Sequence, residues 1–213
     1  MGLFATYASV LFFAWIVSIL RWKLLSKADR WICLLLLLTI IQESIAYYLQ
    51  VRFHNNYITY HIYTPIELAV ICLYFDRSLK FKRPYRIGLI VAATALVISI
   101  INTAFYQPYD KINSYFLLIE GCVVIGFCLL SFYRIIIQDD TIPGKMVQFW
   151  ITICFLFYWS LSYANLGLYG AQVNHTDTLS KIFTWSLYSA NLLFYFGIAL
   201  VFLRYKKLIP SGE

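Results

Sequence analysis

The sequence predicts an all-α, polytopic membrane protein, a bundle of seven transmembrane helices. Seven apolar stretches of about 18 to 22 residues are each long enough to cross a hydrocarbon layer as a helix. Charged residues make up only 13% of the chain, against about 25% in a typical soluble domain. All 17 Lys and Arg residues lie outside these stretches. Because the connections are too short to hold a soluble domain, we expect one transmembrane domain over residues 1–213.

The first apolar stretch is the one that could be confused with a cleaved targeting segment. It lacks the basic start of a signal peptide and is followed by four basic residues, so we expect it to be retained. The remaining six stretches are separated by short polar or basic connections. The predicted helices lie near residues 2–20, 31–50, 57–75, 87–106, 115–133, 147–169 and 182–203.

Six of the predicted helices carry a stripe of polar side chains at the helical spacing of three or four residues. Helix 1 has no such stripe. The polar side of each helix is expected to face the interior of the bundle, because lipid does not satisfy polar groups. The stripes are Thr39, Glu43, Tyr47 and Gln50 on helix 2; Tyr57, Tyr60, Tyr63, Thr64, Glu67 and Tyr74 on helix 3; Ser99, Asn102 and Tyr106 on helix 4; Asn113 and Glu120 on helix 5; Tyr158, Ser162, Asn165 and Tyr169 on helix 6; and Thr184, Tyr188, Asn191 and Tyr195 on helix 7.

The distribution of basic residues predicts the orientation of the bundle. Fourteen Lys and Arg residues follow helices 1, 3, 5 and 7, whereas three lie on the alternate side. Basic residues concentrate on the cytoplasmic side of membrane proteins. We therefore expect the N-terminus outside and the C-terminus in the cytoplasm, with the chain in a bacterial cytoplasmic membrane. The net charge of +7 is spread beside the membrane entry points, so no nucleic-acid partner is expected.

Three carboxyl groups lie inside the apolar stretches, namely Glu43, Glu67 and Glu120. An ionisable group at membrane depth is costly and is a candidate functional residue. No Lys or Arg lies at the same depth, so each acid must be protonated, bonded to a polar neighbour, or in contact with a cation, water or ligand. Counted from the predicted outer ends of the helices, these acids and 12 of the 18 Tyr residues lie in or beside the outer half. We predict a Tyr-rich acidic cavity that opens outward.

The predicted ligand-binding set combines the three acids with six hydrogen-bonding side chains from the stripes and the rim. Glu67 is the expected central acid, and the amides and phenols are expected to form the walls. For the amides and hydroxyls, the alternative is that they bond one another and hold the helices together. The set is Glu43, Glu67, Glu120, Tyr60, His61, Tyr63, Asn165, Tyr188 and Asn191.

No motif for a metal, a cofactor or a catalytic centre is found in the sequence. The five Cys residues lie within apolar stretches and show no paired metal-binding spacing. The spacing of His54 and His61 matches no metal-ligand motif, and His175 is expected in a loop. Catalytic motifs such as GxSxG, HExxH and the P-loop are missing. We expect no metal and no cofactor, and the sequence favours a function other than catalysis.

Two resemblances to known families concern short segments. The run from Asn56 to Pro65 resembles helix 3 of microbial rhodopsins, in which Arg-Tyr-x-Asp-Trp precedes Thr-Thr-Pro; Tyr57, Thr64 and Pro65 match, whereas Asn56, Thr59 and Tyr60 replace the Arg, Asp and Trp of the family. Helix 7 contains no Lys for covalent retinal. The segments HIYTPIEL in helix 3 and SLYSANLLFYF in helix 7 are similar to uncharacterised bacterial seven-helix membrane proteins, and that resemblance implies no activity.

The leading functional hypothesis is a receptor or sensor that binds a small ligand or cation from outside. Its predicted cytoplasmic connections are short, so a sensor would need a separate protein partner at that face. The alternatives are a proton or cation transporter or channel that uses the acids as a relay, an intramembrane enzyme that uses an acid and His61, and a ligand-free scaffold subunit. The inner halves of helices 2, 4 and 5 are almost wholly apolar, which argues against a conducting path.

Overall fold

The computed structural model describes residues 2–79, 86–137, 142–169 and 177–211, and every structural statement below refers to these residues. They form an all-α structure with no strand apart from one isolated bridge between Met146 and Ile209. The helices are α1 (Gly2–Leu20), α2 (Asp29–Phe53), α3 (Tyr57–Ser78), α4 (Ile87–Ile101), α5 (Ser114–Ile137), α6 (Val147–Tyr169) and α7 (Asp177–Arg204), and a π-helical segment (Asn102–Tyr106) continues α4.

The prediction of an all-α fold is confirmed, and each apolar stretch coincides with a helix. Six helices are long and apolar enough to cross a membrane. The apolar part of α1, Phe4–Leu20, is a shorter apolar helix. Helices α2 and α7 extend further than predicted because polar and charged end turns continue the helix beyond its apolar part. Three of the basic residues behind the predicted orientation, Lys80, Lys82 and Arg83, lie outside the described residues.

The helices belong to two compact units, which are described separately. The α2–α4 unit comprises Trp22–Glu120 and Pro210–Glu213, and the α1–α6–α7 unit comprises Met1–Arg21 and Gly121–Ile209. Helix α5 contributes its first turns to the former and the rest to the latter. The expectation of one domain stays a prediction.

In the α2–α4 unit, α3 packs against both α2 and α4. Helix α4 turns a row of small residues inward, namely Gly88, Ala92, Ala95 and Ser99, while its larger side chains are exposed. A Cβ atom at Gly88 would lie 2.4 Å from the carbonyl oxygen of Cys72, so glycine permits the close approach of α4 to α3. This approach is also fixed by a hydrogen bond from the Gly88 N–H to Asp76 Oδ1, at 3.1 Å.

Helix α3 has the two faces that its sequence predicts. Ile58, Ile62 and Ile66 are 43%, 56% and 41% exposed, whereas Thr64 and Tyr74 are buried. The exposed apolar row and the buried polar row lie on opposite sides of one helix. Polar residues of α3 are therefore placed where α2 and α4 pack.

In the α1–α6–α7 unit, α7 packs against both α6 and α1. Tyr7 of α1 meets Tyr195 of α7 edge to face, with ring centroids 5.7 Å apart. The second part of α5 is joined to α6 by buried hydroxyl and amide groups, because Ser131 Oγ lies 3.0 Å from Thr152 Oγ1 and accepts from Gln148 Nε2 at 2.9 Å. These three polar side chains have their partners within the unit.

Candidate functional site

The three predicted acids belong to the same α2–α4 unit. Glu43 lies on α2, Glu67 on α3 and Glu120 on the first part of α5. Glu120 is fully buried, whereas Glu43 and Glu67 are half-buried. Glu67 interacts electrostatically with both of the others. We call these three residues the carboxyl row, with Glu67 as its middle member.

Glu67 is held by a chain of hydroxyl groups. The Tyr63 hydroxyl, one helical turn before Glu67, hydrogen-bonds its carboxyl group. Tyr63 OH also lies 2.6 Å from Thr39 Oγ1 of α2, and the Thr39 hydroxyl donates to the carbonyl oxygen of Leu35 at 2.9 Å. Spacings of four residues place each pair on one helix face. The chain therefore runs from α3 to the backbone of α2.

The hydrogen bonds of this chain can run in two directions, because a hydroxyl has one proton to donate. If Thr39 donates to the Leu35 carbonyl, it accepts from Tyr63, and Tyr63 can accept from Glu67 only when Glu67 is protonated. In the other direction, Thr39 donates to Tyr63 and Tyr63 donates to an ionised Glu67. The protonation state of Glu67 therefore selects the direction of the chain.

Glu43 lies beside a second tyrosine. It interacts electrostatically with Tyr60, which lies beside the side chain of Gln42. Gln42 is buried, and its Nε2 has no hydrogen-bond partner among the described residues. The sequence analysis missed Gln42 because it followed the stripe through Thr39 and Glu43. Gln42 lies three residues after Thr39 and four residues before the buried Ala46, and this spacing marks it as a member of the packed face.

Glu120 differs from the other two acids in its surroundings. Neither of its carboxyl oxygens has a hydrogen-bond donor among the described residues, although the side chain is fully buried. No described basic residue pairs with it, and its electrostatic neighbours are Glu67 and the buried thiol of Cys72. A buried carboxyl without a donor is destabilising. The position therefore suits a ligand that brings donors or positive charge.

The carboxyl row is not arranged as a metal centre. Within the described part of the chain, no group of three or more His, Cys, Asp or Glu side chains lies close enough to hold a metal ion. The three acids thus interact through their charges without converging on one point. The expectation of no cofactor stays a prediction.

A second polar group, the amide cluster, joins α3, the π-helical segment and the loop before α5. Asn102 Nδ2 donates to Asn113 Oδ1 at 2.7 Å and to Gln107 Oε1 at 3.3 Å. Asn113 Nδ2 donates to Thr64 Oγ1 at 3.2 Å, and Gln107 Nε2 donates to Ser114 Oγ at 2.8 Å. We define the amide cluster as Thr64, Asn102, Gln107, Asn113 and Ser114. Its amide groups bond one another, as the structural alternative for such residues predicts.

His61 is attached to the same loop. Its Nε2 lies 2.9 Å from the carbonyl oxygen of Lys111, and its Nδ1 lies 3.0 Å from Thr103 Oγ1. Because a carbonyl oxygen only accepts, Nε2 carries the proton and Nδ1 accepts from Thr103. The ring is buried and meets Tyr109 edge to face, with centroids 5.4 Å apart. The two nitrogens of His61 thus attach α3 to the π-helical segment at Thr103 and to the loop at Lys111.

The other predicted wall residues belong to the α1–α6–α7 unit. Asn165 Nδ2 donates to the Leu161 carbonyl at 2.8 Å and to Ser186 Oγ at 3.3 Å. Asn191 Nδ2 donates to the Leu187 carbonyl of its own helix at 2.9 Å. Tyr188 is half-buried and packs edge to face on Trp185. Their roles as ligand-binding residues stay predictions, as do those of the six residues in the α2–α4 unit.

Comparison with known proteins adds no relative. No family model, curated protein or solved structure matches the chain.

Proposed function

We propose that the chain is a multi-pass protein of the bacterial cytoplasmic membrane that binds a small organic cation at its carboxyl row, in the manner of a receptor or sensor. The six long apolar helices support membrane insertion. The asymmetry of basic residues supports an outside N-terminus and a cytoplasmic C-terminus. In a topology assay on intact cells, a tag fused after Lys207 is expected to be cytoplasmic.

The observation that carries the proposal is that Glu120 is buried without a hydrogen-bond donor among the described residues. A fully buried carboxyl group that lacks both a donor and a basic neighbour gains most from a ligand that brings N–H donors and positive charge. The half-buried Tyr60 and Tyr63 in the same unit supply phenol rings, and such rings attract organic cations. A metal ion fits less well, because no described group of three ligating side chains converges.

The hydroxyl chain at Glu67 adds a second feature to the proposed binding event. A cation beside the carboxyl row favours ionised acids. Ionisation of Glu67 releases its proton and reverses the bonds through Tyr63 and Thr39, so binding is coupled to proton release. That reversal breaks the hydrogen bond from Thr39 to the Leu35 carbonyl of α2. Binding would thereby change the hydrogen bonding of the α2 backbone.

The proposal is tested with purified protein in detergent and two probes, methylammonium and tetramethylammonium. Methylammonium offers three N–H donors and tetramethylammonium offers none, so calorimetry is expected to give tighter binding of methylammonium. Titrations in buffers of different ionisation enthalpy are expected to show proton release. Glu120→Gln and Glu67→Gln should each weaken binding at least tenfold, whereas Asp110→Asn, the same change at an exposed loop position, should leave it unaltered. Equal binding by all four proteins would reject the carboxyl row as the site.

Proton transfer is the second candidate, and the reversible hydroxyl chain favours it. Glu67, Tyr63 and Thr39 form a bonded series that could move a proton between α3 and α2. The apolar inner halves of helices 2, 4 and 5 argue against a complete path. Liposomes that contain the protein should show no appreciable proton flux under a potential. Flux that disappears in Glu67→Gln would replace the receptor proposal with the transport alternative.

A further inference from the structure

Two arginines of the α2–α4 unit lie over tryptophan rings. The Arg30 Cζ atom is 5.2 Å from the ring centroid of Trp22, and the Arg77 Cζ atom is 5.3 Å from that of Trp31. Arg30 and Trp31 are consecutive residues in the first turn of α2, and Arg77 lies in the last turn of α3. The four side chains form two Trp–Arg pairs that are adjacent in the chain at Arg30 and Trp31, and we call the two pairs together the Trp–Arg ladder.

The described residues do not neutralise the Trp–Arg ladder. Neither guanidinium group forms a hydrogen bond or ion pair with another described residue, and each arginine follows an aspartate that is engaged elsewhere. Asp29 Oδ2 accepts from Ser26 Oγ at 2.7 Å and from the Ser211 N–H at 3.2 Å. Asp76 Oδ1 accepts from the Gly88 N–H at 3.1 Å. Two positive charges thus remain without an acidic partner in the described residues.

The ladder also has N–H donors without an acceptor among the described residues, namely the buried Arg30 Nε and Trp31 Nε1. Stacking on a tryptophan occupies the flat face of a guanidinium group and leaves its edge unstacked. Arg77 is exposed and Arg30 is half-buried, so the terminal N–H groups of these edges are the ones that a ligand can reach. An edge with parallel donors matches the two oxygens of a phosphate group.

The position of the ladder indicates the source of that phosphate. It joins the start of α2 to the end of α3, beside the exposed Lys23 and Lys27, at the predicted cytoplasmic boundary of the apolar helices. Trp and Arg are typical of the membrane interface, and clustered basic residues there bind anionic headgroups. We propose that the Trp–Arg ladder binds the phosphate of an anionic phospholipid. This inference rests on the membrane insertion in the proposed function but not on ligand binding at the carboxyl row.

The experiment uses the full chain in nanodiscs of phosphatidylcholine with or without phosphatidylglycerol, followed by native mass spectrometry of the released protein. The wild type is expected to retain phosphatidylglycerol in preference to phosphatidylcholine. Arg30→Gln with Arg77→Gln should weaken that retention at least tenfold. The control, Lys206→Gln with Lys207→Gln, removes the same charge at two exposed positions and should weaken it less than twofold. Equal losses in the two double variants would show general charge attraction and overturn the site.

Three further measurements separate the explanations. Arg30→Lys with Arg77→Lys keeps the charge but removes the planar edge, so retention should also fall; full retention would contradict the geometric argument. Glycerol 3-phosphate at millimolar concentration should not displace the lipid, and displacement would assign the site to a soluble phosphate.

Flotation with liposomes tests insertion separately. An inserted protein without lipid preference defeats the inference alone, whereas a protein that does not float defeats the membrane proposal. Size-exclusion profiles verify that each variant is folded.

Discussion

The amide cluster and the carboxyl row lie in the same α2–α4 unit but differ in whether their buried polar groups have hydrogen-bond partners. In the amide cluster, Asn102, Gln107 and Asn113 supply donors and acceptors to one another, so burial is matched by hydrogen bonds. In the carboxyl row, Glu120 is as deeply buried as Asn113, yet its oxygens have no donor among the described residues. The difference separates a group that stabilises the fold from one that costs stability and is therefore a better candidate for function.

The chemistry of the side chains explains why the two groups diverge. An amide both donates and accepts, so amides can satisfy one another within a closed set. An ionised carboxylate only accepts, and two neighbouring carboxylates cannot bond unless one carries a proton. A row of three acids therefore needs protons, hydroxyl groups or an external cation. Glu67 obtains a hydroxyl from Tyr63, whereas Glu120 has none in the described residues.

The largest expected effect is an opposite response of the two groups to the same apolar replacement. Asn113→Leu removes the partner of Asn102 and Thr64 and should lower the free energy of unfolding by about 3 kcal/mol. Glu120→Leu removes an unsatisfied carboxyl group and should leave that free energy unchanged or raise it by about 1 kcal/mol. Unfolding of both variants in mixed detergent and SDS micelles measures the difference. Equal destabilisation would mean that Glu120 is as well bonded as Asn113.

The next effect concerns the attachment of the loop before α5 to α3. His61→Phe keeps a ring of similar size and removes the bonds to Thr103 and the Lys111 carbonyl, so we expect a loss of about 2 kcal/mol in the free energy of unfolding. Thr103→Val removes one of the two bonds and should cost about 1 kcal/mol. Hydrogen exchange of the loop should accelerate in both variants, more in His61→Phe. A larger effect in Thr103→Val would contradict the assigned roles.

Asn165 and Asn191 of the α1–α6–α7 unit are expected to matter less for stability. Asn191→Ala removes a bond to a carbonyl of the same helix and should change the free energy of unfolding by no more than about 0.5 kcal/mol. Asn165→Ala also removes the bond to Ser186 of α7 and should cost about 1 kcal/mol. Thermal unfolding in detergent distinguishes the pair. A cost above that of His61→Phe would show that this unit contains a polar cluster equal to the amide cluster.

The helices could be predicted from the sequence, because long apolar stretches bounded by basic or polar residues leave few other structures in lipid. The faces of α3 could also be predicted, since the exposed Ile58, Ile62 and Ile66 repeat at helical spacing. The π-helical segment could not, because its extra residue per turn depends on the loop that His61 and Gln107 attach to.

The candidate site could be predicted only in part. The three acids stand out in an apolar sequence, but the distinction between a bonded Asn113 and an unbonded Glu120 depends on distances between residues far apart in the chain. The same is true of Gln42, which lies beside Tyr60 of the next helix. Spacing within one helix gives the face of a residue, whereas its hydrogen-bond partner depends on how two helices pack.

The last prediction tests the hydroxyl chain, the place where the carboxyl row most resembles the amide cluster. Tyr63→Phe removes the partner of Glu67 and Thr39 and should lower the free energy of unfolding by only about 1 kcal/mol, since Thr39 keeps its bond to Leu35. Infrared spectroscopy provides the sharper measurement. If Glu67 is protonated and donates to Tyr63, the wild type has a carbonyl-stretch band of a hydrogen-bonded carboxylic acid that is lost in Glu67→Gln. In Tyr63→Phe that band should shift to higher frequency, because the acid loses its acceptor. A spectrum in which Glu67→Gln removes only carboxylate bands would show an ionised Glu67, and the hydroxyl chain would then run from Thr39 through Tyr63 to Glu67 in the unliganded protein.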